Sequence, residues 1–136
     1  MKKFLLPLVL FVSAAAVGAD GDDKLDGKWI ILSTERDGKA DESMKDAVRE
    51  HKGDKYLMST KNGKSFEGKM KVDAKAKTID ITPAGGTYKD KTLLGIYEID
   101  GDTLKIAFAE PGKDRPKEFA SKPGSGVVLA IHKRAK

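Results

Sequence analysis

Few residues in this sequence combine a type and a spacing that could do chemistry. The only imidazoles are His51 and His132, and no cysteine exists to join them. A zinc site takes three or four ligands, so none is expected, and both histidines are expected at solvent-facing or edge positions. Asn62-Gly63-Lys64-Ser65 looks like the tail of a phosphate loop, but it lacks the earlier glycine and has no helix after it, so it reads as a turn. Asp20, Asp22 and Asp23 could touch calcium, yet their spacing fits no calcium loop. There is no Gly-x-Ser-x-Gly, and Ser121 and Ser125 lie among Pro and Gly with no base nearby. A carboxylate pair of the glycosidase kind would have to meet in space, and most of the acidic residues alternate toward the surface. Catalytic residues, metals and cofactors are therefore not expected.

What remains is an apolar set: Trp29, Phe66, Met70, Tyr97, Ile99, Leu104, Ile106 and Phe108. Of these, Trp29, Phe66, Met70, Tyr97, Ile106 and Phe108 are the expected lining of any interior pocket. Eight strands enclose a space just wide enough for packed side chains or one small ligand. Two readings follow. One is a non-catalytic binding protein holding a small apolar ligand. The other is a solid barrel acting through its surface on an envelope or extracellular protein, as a protein-interaction or protease-inhibitor-like module.

The elements that must position these residues are short runs of β-branched and aromatic residues. Asp-Gly, Asn-Gly, Gly-Gly and Pro-Gly turns separate them at intervals of roughly ten residues, the mark of a sandwich or barrel. From Ser65 to Asp73, Phe66, Gly68, Met70 and Val72 alternate with charged residues, which predicts one buried and one wet face. Thr78 to Thr82 repeats the pattern with Ile79 and Ile81 inward. Asn62-Gly63 suits a tight hairpin turn. Around Asp100-Gly101-Asp102, pairing Ile99 with Leu104 sets Tyr97 opposite Ile106 and Gly95 opposite Phe108, and brings Glu98 across from Lys105. A slip of one residue would lose all of these pairs. Asp41 to His51 breaks the β pattern, with Asp41 as N-cap, Met44, Ala47 and Val48 at helical spacing and Gly53 as the stop. A short helix is expected there, able to cover one end of a barrel. Strands are expected near 28–35, 54–60, 64–73, 77–83, 91–100, 103–109, 117–121 and 126–133. The expected fold is all-β: an eight-stranded antiparallel up-and-down barrel with one short helix between strands 1 and 2.

Met1-Lys2-Lys3, the apolar stretch Phe4 to Val12 and the small residues ending Val17-Gly18-Ala19 have the three regions of a secretory signal peptide. The apolar run is too short to span a bilayer, which takes about 20 residues. The expected organisation is a signal peptide at 1–19, a flexible lead-in at 20–24 and one barrel domain at 25–136, exported to the periplasm or beyond the cell, with no membrane span after cleavage. Losing Lys2 and Lys3 lowers the net charge from +5 to +3. With both signs interspersed and no aromatic-studded basic run, nucleic acid is not an expected partner. Without cysteine no disulfide staples the fold, so its single core must suffice.

Gly27-Lys28-Trp29 at the head of the first strand resembles the lipocalins and their barrel-forming relatives. The stretch 25–29, the stretch 35–39, the long run Lys91 to Lys105, and the segments 111–116 and 118–126 sharpen the likeness. Together they resemble the uncharacterised lipocalin-like domain found in planctomycete bacteria, over nearly all of the chain that follows Ala19. The resemblance implies an exported barrel and assigns no biochemical activity. It also implies that Gly27 and Trp29 close the barrel with a basic residue from the last strand, Arg134 or Lys133. Lipocalins proper carry a helix after the barrel. Here only Ala135 and Lys136 follow Arg134, so a full lipocalin-sized cavity is not implied.

Overall fold

The computed structural model describes residues 21–135. The signal peptide expected at 1–19 lies outside the described residues. Nine strands run in chain order: β1 (Gly27–Arg36), β2 (Lys39–Ala40), β3 (Val48–Lys52), β4 (Lys55–Ser59), β5 (Ser65–Asp73), β6 (Thr78–Pro83), β7 (Leu93–Asp100), β8 (Thr103–Ala109) and β9 (Val127–Arg134). Each pairs antiparallel with its neighbour, and β9 returns to pair with β1. Leaving aside the two-residue β2, which only pairs with the end of β1, eight strands form a closed up-and-down barrel of lipocalin-like form. Closure leaves no long unpaired edge, the usual hazard of an all-β chain.

Alternation sets the faces, as the sequence predicts. Met70 and Val72 on β5, Ile79 and Ile81 on β6, Tyr97 on β7, and Leu104 and Ile106 on β8 all point inward and are buried. The β7–β8 register is the one read from the sequence: Ile99 pairs with Leu104, Tyr97 with Ile106, Gly95 with Phe108 and Glu98 with Lys105. The Asn62-Gly63 turn joins β4 to β5, with Gly63 at φ +89°. One inward glycine makes room for a neighbour. A Cβ on Gly68 would lie 2.5 Å from the Thr82 carbonyl oxygen and 2.8 Å from the Tyr56 ring, so Tyr56 fits over bare backbone.

Two expectations need correction. The helix expected over 41–51 is one 3-10 turn, Glu42–Met44, capped by the Asp41 carboxylate accepting from the Ser43 amide at 3.0 Å. From Val48 the chain becomes β3, because two free ladder edges, on β1 and β4, flank it and satisfy its backbone groups. Conversely, 117–121 forms no strand. It belongs to the 110–126 connection between β8 and β9, which Arg115 latches to the outside of the barrel. The Arg115 guanidinium donates to the Asp80 carboxylate at 2.5 Å and to the Gly95 carbonyl at 2.8 Å.

One end of the barrel is sealed. Residues 21–24, expected as a flexible lead-in, pack across it: the Gly21 amide donates to the Val72 carbonyl at 3.1 Å, and the Tyr97 hydroxyl donates to the Asp22 carboxylate at 2.7 Å. Burial and that carboxylate together hold the Tyr97 phenol well above its usual range. Leu25 and Trp29 are fully buried behind this segment. The Trp29 indole donates to the Leu25 carbonyl at 2.9 Å. The Arg134 guanidinium lies 4.0 Å from the Trp29 ring centre and donates to the carbonyls of Lys24 and Asp26 at 2.7 and 3.2 Å. Gly27, at φ +115°, lets it approach, since a Cβ there would stand 3.3 Å from Arg134 Nη1.

Candidate functional site

The opposite end of the barrel is open. There a cavity of about 800 Å³ lies among Ile31, Tyr56, Met58, Phe66, Ile81, Leu93, Phe108, Val128 and Ala130, with Met44, Pro83 and residues 84–88 of the β6–β7 loop at its rim. Of the residues expected to line a pocket, Phe66 and Phe108 do so, with Phe66 44% exposed at the mouth. Trp29, Met70, Tyr97 and Ile106 form the packed core beneath and are not part of the lining. The interior is therefore half plug and half hollow.

The division between the halves is polar, and it comes from β3. Alternation turns Arg49 and His51 inward, in place of the helix and exposed histidine that the sequence predicts here. In the ladder, Arg49 sits beside Trp29 and His51 beside Gly27, so His51 is one inward step closer to the sealed end. Arg49 lines the cavity floor and His51 does not. The Arg49 Nε–H donates to His51 Nε2 at 2.6 Å, and the guanidinium lies 4.5 Å from the Tyr56 ring centre. That bond fixes His51 as a neutral ring with its proton on Nδ1.

His132, also expected at an exposed or edge position, is fully buried, because β9 is flanked by both β8 and β1. Its Nδ1 lies 3.2 Å from the Leu104 carbonyl, which can only accept, so Nδ1 carries the proton and Nε2 presents a lone pair. Burial, then the Arg49 charge and His132, push His51 down to about 2. Burial, then the Arg49 charge, lower His132 to about 3, against its backbone hydrogen bonds. Arg49 is itself lowered to about 10 by burial, relieved in part by Tyr56.

Four buried polar atoms in this layer have no hydrogen-bond partner: Thr34 Oγ1, Arg49 Nη2, His51 Nδ1 and His132 Nε2. Thr34, Arg49 and His132 all line the cavity. Thr34 faces inward because β1 shifts register against β9 between Ile31 and Ser33, which turns Leu32 out to solvent and resets the alternation. None of the ion pairs among the described residues involves Arg49. Orphaned polar atoms are rare in native interiors, and three of these four belong to residues that line one hollow.

A second hollow of similar volume lies outside the barrel near the lead-in, among Asp22, Asp23, Asp26, Asp54, Lys69 and Lys71. Its charged walls are mostly solvated, and among the described residues no three His, Asp or Glu side chains gather to hold a metal ion. Nor is any helix among the described residues long and apolar enough to cross a membrane. The one signal that could have exposed Arg49 and His51 is the i, i+2 spacing of two long polar residues between two strand edges. Compared with protein-family models, curated proteins and solved structures, the chain matches none of them.

Proposed function

We propose that this protein is a non-catalytic binding protein that holds one small, largely apolar molecule in the open half of its barrel. A single observation carries this reading: the apolar-walled cavity of about 800 Å³ that opens at one end of a barrel sealed at the other. That volume falls within the range of small-molecule sites, and apolar walls with a few convergent polar groups are their usual composition. The reading includes export, as the N-terminal pattern implies, and kinship with the planctomycete lipocalin-like domains. Action through the outer surface has less behind it: on the outer faces, the large apolar side chains with the greatest exposure among the described residues are Leu32 at 42% and Leu57 at 40%.

The test is a titration of the purified protein with the neutral probe N-phenyl-1-naphthylamine, following energy transfer from Trp29, the only tryptophan. Saturable one-to-one binding is expected. Phe108→Asp, which puts a charge on the cavity wall, should abolish it while the circular dichroism spectrum stays that of the parent. Absence of binding by probes across a range of sizes would sink the reading.

A further inference from the structure

We propose that the molecule held in the barrel is an amphiphile with a single carboxylate head, seated against Arg49 and Thr34, its apolar tail running outward past Phe108 to Phe66. This rests on the binding reading above and adds the chemical class of the ligand. Arg49 is 3% exposed, yet no carboxylate pairs with it among the described residues. A guanidinium offers five N–H donors, and the one hydrogen bond this side chain makes runs from Nε to His51. Nη2 is left without a partner, on a side chain that lines the cavity. A buried cation with no counter-charge is costly, and an anion delivered by a ligand is the one partner that would offset both its charge and its open donor.

The size and charge of the head follow from the other floor groups. Thr34 Oγ1 is likewise unpartnered and lines the same hollow, so its hydroxyl supplies a second donor. Two donors match the two oxygens of a carboxylate, and planar guanidinium recognition of carboxylates is among the stronger polar contacts. His132 also lines this space, with a ring that carries its proton on Nδ1 and is held neutral, so it adds no positive charge to balance a second negative one, which disfavours a phosphate dianion. The other charged residues of the lining are at the rim: Arg36 is held by Asp41 at 3.3 Å, and Glu67 is exposed. No acid at the floor competes for Arg49, and the walls above it are Ile81, Leu93, Val128 and the two phenylalanines.

The experiment compares dodecanoate with 1-dodecanol as displacers of N-phenyl-1-naphthylamine. The two share a tail and differ in the head charge. Dodecanoate should bind the parent protein about tenfold more tightly or better, the scale of one charge-assisted hydrogen bond. Arg49→Met should bring the two affinities within about twofold of each other, and Thr34→Val should cut the preference several-fold. Thermal melting of each variant confirms that it folds, and the comparison in the parent protein needs no variant. Equal affinity of the two displacers in the parent, or a preference that survives Arg49→Met, would overturn the carboxylate assignment and leave the apolar-binding reading standing. Failure of the probe and both displacers to bind would overturn that reading as well.

Discussion

Mild acid should destabilise this protein through its two buried histidines. Folding holds His51 and His132 neutral, at about 2 and about 3, whereas each titrates near 6.5 once the chain unfolds. Between those values the unfolded state binds more protons than the native state, so stability is intact above pH 6.5 and falls as the pH drops below it. From pH 7 to pH 5 each histidine should cost about 2 kcal/mol, and the pair about 4 kcal/mol. The size of the loss depends only on the unfolded value as long as the native rings stay neutral at the assay pH. With a urea slope typical of a domain this size, the midpoint should drop by roughly 2 to 3 M. Asp41, which the Ser43 hydroxyl holds below the usual carboxylate range, adds its own loss only at lower pH. Urea melts at pH 7, 6 and 5 provide the assay, repeated on His51→Gln and His132→Gln. Each variant should remove about half of the slope. A midpoint constant from pH 7 to 5, or a slope unchanged in both variants, would refute the buried neutral layer.

Three further outcomes follow from the same packing. Lowering Arg49 from 12.5 to about 10 means that its charged form bears a burial penalty of about 3 kcal/mol. Arg49→Met removes that penalty and forfeits the bond to His51, so differential scanning calorimetry should show a net stabilisation of about 1 to 2 kcal/mol; a lower melting point would contradict it. Arg134→Ala loses the ring contact with Trp29 and the bonds to the Lys24 and Asp26 carbonyls, and should cost about 2 to 3 kcal/mol. A red shift in Trp29 emission should report the opened seal. Gly68→Ala forces a methyl into the Thr82 carbonyl and Tyr56, and should cost about 1 to 3 kcal/mol in urea melts; a neutral result would mean that β5 and β6 separate easily.

The β5–β6 and β7–β8 hairpins were legible because each side chain's face follows from its neighbours two residues away. Phe66 to Val72 and Leu94 to Phe108 carry apolar residues at nearly every inward position, so period-two counting finds strand, face and register together. The same counting fails on Val48-Arg49-Glu50-His51-Lys52. Its inward residues are as polar as its outward ones, and Met44, Ala47 and Val48 imitate helical spacing. It fails again near β9, where Val127 to Ile131 is apolar on both faces and β1 must pair alongside before His132 is enclosed.

Local pattern therefore decided that the chain is a barrel of short antiparallel strands, which glycines turn it, and which apolar side chains form its core. Those properties depend on residues a few positions apart and are written in alternation and turn chemistry. Closure decided the rest: that 48–52 is a strand, that Arg49 and both histidines are buried, and that one half of the barrel is filled while the other is hollow. A side chain's burial depends on what covers it. Here the covering atoms come from strands far along the chain, with β9 against β1 sealing the floor under a cation that the sequence marks only by its i, i+2 spacing from His51.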